Sequence, residues 1–332
     1  MNAIPLKRGL PIVALGGVTL VVVTLAAPFI GSTDLHVARV FSRTLPFADN
    51  VDAQIFFLAR LPRAFAAALV GCTLSAAGVV FQGLLRNPLA TPYTLGVSAG
   101  AALGAMIAIT FGAAWPVGGV ATASLAGALL AVLVVYALAS ARHRGLSTTV
   151  LLLAGVTLNA FFSALILFVQ YLSNFADTYR ALRWLMGDLD VASYLPLLAA
   201  LPFIIVAFSA FAWLARPLNL LSLGAEAAGT RGVNVVLAQR VAFFSASIAT
   251  GAAVSVGGPI GFVGIIVPHL ARLVVGADHR LVLPASALFG GAFLVACDVL
   301  ARTSFAPLEL PVGIVTALIG GPFFLWLLLR RR

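Results

Sequence analysis

The sequence predicts an all-α integral membrane protein of about ten transmembrane helices, with the N- and C-termini both cytoplasmic. Three observations predict it: a very apolar composition, ten long apolar stretches, and a basic excess that sorts to alternate connections. Of 332 residues, 62% are hydrophobic and 9% charged. A water-soluble domain carries roughly 25% charged residues. So few charges cannot cover a water-facing surface, and the bilayer is the solvent that such a chain fits. Each crossing needs about 20 mostly apolar residues.

The predicted spans are 9–30, 62–84, 93–113, 118–140, 147–170, 193–215, 238–256, 259–275, 282–302 and 310–329. The first, Gly9 to Ile30, is too long for a signal-peptide core and lacks a small-residue cleavage site, so it reads as a span. Local punctuation sets several boundaries. Thr91-Pro92 reads as an N-cap followed by proline at the first helical position. Trp115-Pro116 with Gly118-Gly119 marks a tight turn with an interfacial aromatic, and Gly257-Gly258-Pro259 breaks two segments that would otherwise run on. Residues 1–332 therefore read as a single transmembrane domain. Its longest hydrophilic stretches are an outer segment, 31–61, and an inner one, 216–237.

Charge sets the orientation. With a cytoplasmic N-terminus, the inside holds Lys7, Arg8, Arg86, Arg142, Arg144, Arg216, Arg231, Arg240, Arg272, Arg280 and Arg330 to Arg332. Arg39, Arg43, Arg60, Arg63, Arg180, Arg183 and Arg302 fall outside. Among the acids only Glu226 and Asp278 lie inside. This is the positive-inside bias. It also explains the net charge of +10 without nucleic acid as a partner.

Several chemistries are excluded or disfavoured. A phosphate-binding loop needs a glycine-rich turn followed by lysine. The one lysine, Lys7, has no such turn before it. Any ATP hydrolysis then belongs to another polypeptide, and the chain is not an enzyme. An ion-coupled carrier needs ionisable groups within the membrane. Asp298 is a single acid there, which reads better as a hydrogen-bonding group than as a relay. His269 and His279 lack a cysteine or paired acid at ligand spacing, so no metal site is expected. His36 and His143 sit in loops and suggest nothing, and Asp188 and Asp190 sit in an outer loop beside Trp184. Cys72 and Cys297 fall in apolar stretches and read as small core residues.

Further motifs point to one family. They are Arg60-Leu61-Pro62-Arg63, Leu69-Val70-Gly71, Gln82 with Arg86-Asn87-Pro88-Leu89-Ala90-Thr91-Pro92, and Leu95-Gly96-Val97-Ser98. Later come Gly258-Pro259-Ile260-Gly261-Phe262-Val263-Gly264, Pro268-His269 and Asp278-His279-Arg280. Glu309-Leu310-Pro311-Val312-Gly313-Ile314-Val315-Thr316 and Gly321-Pro322 complete the set. Over residues 55 to 330 the chain resembles the permeases of type II ABC importers for ferric siderophores, haem and cobalamin. The resemblance implies alternating access in a multi-pass protein of the bacterial inner (cytoplasmic) membrane. It implies a second permease subunit, as a homodimer or a closely related heterodimer, with a periplasmic substrate-binding protein. It implies two ATP-binding cassette subunits that carry the ATP and Mg, and no cofactor on this chain. Ferric siderophore is taken as cargo ahead of haem or cobalamin.

Candidate site residues follow. Arg60, Arg63 and Arg302 lie at the outer face, where arginine is disfavoured; by resemblance they dock acidic residues of the binding protein, which suits arginine's planar fork. The glycine-punctuated inner segment is, by resemblance, the ATPase coupling element, with Leu223, Gly224, Glu226, Ala228, Gly232 and Asn234 matching. Ala225 and Arg231 depart from the pattern. At 100° per residue Asn159, Ser163 and Gln170 fall within about 40° of one another. With Gly155 they form a stripe suited to a wet translocation path or to interhelical hydrogen bonds. Gly71, Ser75, Gly78 and Gln82, and Gly313 with Gly320, have the spacing of close helix packing. Arg86, Asn87 and Pro88 are placed at an inner gate.

Overall fold

With no water in the bilayer to satisfy peptide groups, a spanning chain must bond them within helices or a closed barrel. The computed structural model describes residues 6–42, 46–112, 119–141, 147–191 and 193–330, and every regular element among them is helical. The N-terminal half holds α1 (Leu6–Ala26), α2 (Leu61–Leu85), α3 (Val97–Thr110), α4 (Gly119–Ser140), α5 (Thr148–Leu172) and α6 (Phe175–Leu185). The C-terminal half holds α7 (Leu195–Leu221), α8 (Ala225–Gly229), α9 (Val235–Gly257), α10 (Val263–Val275), α11 (His279–Thr303) and α12 (Val312–Arg330). All ten predicted spans meet a helix.

Seven helices are long and apolar enough to cross a membrane unaided, while α3, α10 and α12 are shorter apolar helices. At 1.5 Å per residue the 13 residues of α10 reach about 20 Å, short of a hydrocarbon core of about 30 Å. Irregular backbone supplies the rest. A 3-10 turn, Pro92–Leu95, leads into α3, and the extended stretch after Gly257 leads into α10. Both are tolerated at this depth because protein covers them: Leu95 and Ile260 are buried.

The sequence of α2 explains its place at the centre. It is apolar all round and rich in Ala and Gly, so neighbours can approach on every side. Its span is 78% buried, against 17% for α1 at the periphery. It packs against α7, α9, α10 and α11. A Cβ on Gly71 would overlap the carbonyl oxygen of Gly290, and one on Gly78 that of Gly264. The small-residue stripe on this helix is thus a packing face.

Two connections differ from the sequence reading. The outer segment 31–61 is largely helical at its end: Val51–Gln54 runs through a π-helical turn, Ile55–Arg60, directly into α2. The stretch after α5 forms the amphipathic helix α6, capped where Asn174 accepts a bond from the Asp177 backbone N–H. Trp115, Pro116 and Gly118, whose turn was expected, lie outside the described residues, as do Arg43, Arg142, His143, Arg144, Arg331 and Arg332.

Candidate functional site

At the outer face a cavity of about 630 Å³ is lined by Arg60, Arg63, Arg183, Arg302, Asp188 and Glu309 among others. The chain itself engages the three predicted arginines. Arg63 Nε lies 2.8 Å from Asp298 Oδ1, and its Nη1 2.6 Å from Glu309 Oε2. Arg302 Nε lies 3.0 Å from Asp298 Oδ2. Arg302 also donates to the carbonyls of Ile30 and Ala27, at 3.2 and 3.3 Å. Arg60 donates to the carbonyls of Pro28 and Thr33.

These bonds have a clear cause. The last carbonyls of a helix lack internal partners, and cations favour that negative end. Two guanidiniums bind carbonyls of the 3-10 turn Ala27–Phe29 and of the loop that follows α1, and a fully buried carboxylate holds two of the three arginines together. Asp298 is therefore no isolated acid. All three arginines are buried, at 7%, 8% and 3% exposure for Arg60, Arg63 and Arg302. The accessible charges of the cleft are Asp190 and Glu309, with 59% and 43% of their side chains exposed, and the half-exposed Arg183, paired to Asp188 at 2.9 Å. Sequence reasoning gave Arg183 and Glu309 no role, although Arg183 stands among the outer arginines. The Asn174–Asp177 cap marks the helix that brings Arg183 to the rim in its last turn.

At the inner face the segment between α7 and α9 holds one short helix, α8. The rest is absorbed: α7 runs to Leu221 and α9 starts at Val235. Gly224 has φ 116° and Gly232 φ 84°, the region where glycine alone is unstrained. Asn234 caps α9 by accepting from the Leu237 backbone N–H at 3.1 Å. Ala228 is fully buried and anchors the loop, while Leu223 is 59% exposed and Glu226 and Gly232 face outward. An anchored loop with an exposed, apolar-tipped rim is a shape that a partner can grip.

On α5, Gly155 packs so closely that a Cβ would overlap the Thr94 carbonyl oxygen. Asn159 Nδ2 donates to the Tyr93 carbonyl at 2.6 Å. Ser163 is exposed and Gln170 half-buried. The stripe thus divides: its inner half ties α5 to the turn before α3, and its outer half is open. Large apolar side chains flank it, with Leu167 66% and Phe168 59% exposed.

Gln82 joins α2 to α10, donating to the Gly264 carbonyl at 3.1 Å and accepting from Arg272. Arg86 ends α2 with φ 49°, and Arg86, Asn87 and Pro88 are exposed at the inner end. Gly313 and Gly320 sit elsewhere, against the Met186 carbonyl and the Phe262 ring. The structure does not bring these two sets together.

The FecCD transport family matches residues 19–330. The cobalamin import system permease of Halobacterium salinarum is 46% identical over 292 residues, 88% of this chain and 78% of that one. The hemin transport system permease of Yersinia pestis is 40% identical over 328 residues, 97% of each chain. A solved structure described as a metal-chelate type ABC transporter in an inward-facing conformation is 33% identical, with a TM-score of 0.81. The match covers 96% of this chain and 99% of that one.

Proposed function

Since this chain belongs to the FecCD transport family and is a multi-pass permease of the metal-chelate, haem and cobalamin type of ABC importer, we propose that it carries a ferric siderophore into the cytoplasm by alternating access. The observation that carries the mechanism is the exposed inner loop around α8, built on two glycine turns and flanked by two spanning helices. In this reading two ATPase subunits grip Leu223, Glu226 and their neighbours. Movement there passes to α7 and α9, which pack on each other and on α2. From α2 it reaches α10 through Gln82. A second copy of the chain faces α5, and cargo moves past Ser163 and Gln170. A periplasmic binding protein delivers cargo to the outer cleft of a bacterial inner-membrane protein.

Arg60, Arg63 and Arg302 shape that cleft, and in this reading Arg183 and Glu309 are the charges that the binding protein meets first. Charge reversal at Arg63 is a poor docking test, because it would set a carboxylate against Asp298.

Cysteine cross-linking tests the assignment and the orientation together. With Cys72 and Cys297 replaced, Leu223→Cys is expected to cross-link to the ATPase, and Leu308→Cys, 73% exposed beside the outer cleft, to react with an impermeant thiol reagent from outside. The reversed pattern would overturn both.

A further inference from the structure

A second cavity, about 640 Å³, opens between α2, α7 and α11 at the inner boundary of the membrane and has no part in the transport reading. Its walls are largely apolar, with Phe208 and Phe211 from α7 and Leu283 and Pro284 from α11, and the buried His279 also lines it. Its rim is basic: Arg216 near the end of α7, and Arg280 in the first turn of α11. Trp213, 50% exposed, stands at the same rim. Tryptophan is favoured at the level of lipid headgroups.

The rim's charge is available. Arg216 is exposed and forms no ion pair among the described residues. Arg280 pairs with Asp278 through Nε and Nη2, so its Nη1 remains free of that pair. Asp278, the acid at this rim, is saturated by Arg280, by Asn219 Nδ2 at 2.7 Å and by the Arg280 backbone N–H at 3.0 Å.

The apolar seam also continues outward. Phe65, Leu69 and Cys72 of α2 line an apolar cavity of about 440 Å³ against Leu197, Leu198 and Leu201 of α7. With Ala76, which borders the inner cavity, they fall on one face of α2 at spacings of three and four. The two cavities are separate and lie one above the other along the seam between α2 and α7.

An apolar trough under two arginines and an interfacial tryptophan matches one kind of amphiphile. Free phosphate would leave the trough unused, and a zwitterionic headgroup would bring its own cation against Arg216. Basic pockets between spanning helices at this depth bind anionic headgroups. We propose that this groove binds an anionic glycerophospholipid, with its phosphate between Arg216 and Arg280 and an acyl chain along Phe208, Phe211 and Leu283.

Native mass spectrometry of the delipidated full-length chain tests this, with phosphatidylglycerol and phosphatidylcholine of identical acyl chains as probes. Phosphatidylglycerol is expected to be retained where phosphatidylcholine is lost. One exposed arginine near a membrane surface contributes about 1 kcal/mol, so R216Q should weaken retention about five-fold, and R216K should restore most of it. A212W fills the exposed wall and should weaken binding with both arginines intact. Thermal unfolding in detergent, unchanged in R216Q and A212W, confirms that the folds are equivalent. Equal retention of the two lipids, or no effect of R216Q, would overturn the proposal. Displacement of the lipid by inorganic phosphate at similar concentration would also overturn it, by showing a plain anion site.

Discussion

Replacing Asp298 with asparagine is the most informative single perturbation of this molecule. The side chain keeps its volume and loses its charge. Asp298 is fully buried and meets Arg63 at 2.8 Å and Arg302 at 3.0 Å, so its loss leaves two buried guanidiniums facing each other. Removing one partner of a buried ion pair costs about 3–5 kcal/mol. Arg63 keeps Glu309, and Arg302 keeps the carbonyls of Ala27 and Ile30, so the lower figure, about 3 kcal/mol, is expected. Glu309→Gln is the control. Its side chain is 43% exposed, and water screens its pair with Arg63, so its loss should cost at most about 1 kcal/mol. With the half-buried Cys72 replaced, Cys297, buried one residue before Asp298, offers a direct assay, because a thiol-reactive dye then reports the temperature at which α11 opens. Asp298→Asn should lower that temperature by several degrees, and Glu309→Gln by little. Equal midpoints for wild type and Asp298→Asn would refute the reasoning that this carboxylate holds the outer ends of α2 and α11 together.

Four further outcomes follow from the same geometry. Gly78→Val drives a side chain into the Gly264 carbonyl and should abolish assembly of α2 with α10, read as loss of monodisperse protein; Gly229→Val, with open space around its Cβ, should not. Gly232→Ala places a Cβ at φ 84°, a cost of about 1–2 kcal/mol, and should impair ATPase stimulation more than folding; unchanged coupling would contradict the role given to α8. Hydrogen bonds from the Arg280 side chain hold the Asp278 carboxyl at about 2, below its ordinary 3.8. Its lowered value makes its contribution present above pH about 4 and lost as pH falls toward 2, so the stability difference between wild type and Asp278→Asn should shrink across that window. Charge reversal of the half-exposed Arg183 should slow association with the binding protein and change its salt dependence; an unaltered rate and salt slope would remove Arg183 from the docking surface.

The parts of this structure legible in the sequence are those that local pattern controls. Long apolar runs and Gly-Pro breaks gave ten helices, because in a bilayer every run of that length must close its own hydrogen bonds. The stripe from Gly71 to Gln82 gave a packing face, because only small residues at helical spacing let backbones touch. The arginine cluster was visible as an anomaly; Asp298 and Arg302 stand at the i,i+4 spacing of a helical pair, but the partners of Arg63 were hidden. Arg63 and Asp298 lie 235 residues apart, and no periodicity links them. Helix α6 escaped notice because it is amphipathic and short, and its sign was a cap rather than a hydrophobic run. The polar stripe on α5 was read as one surface, yet its inner half is tied to the Tyr93 carbonyl, a contact set by a neighbouring turn.

Transport through this chain is driven, in the proposed function, by a separate ATPase, and reconstitution shows whether it is. The chain is reconstituted in liposomes with its ATPase and binding protein, and uptake of ferric siderophore, haem and cobalamin is followed in parallel. Uptake should require both ATP and the binding protein, with the ferric siderophore as the cargo moved. Uptake of haem or cobalamin alone would correct the cargo and leave the mechanism standing. Uptake driven by a proton or sodium gradient without the ATPase would contradict the account at its root.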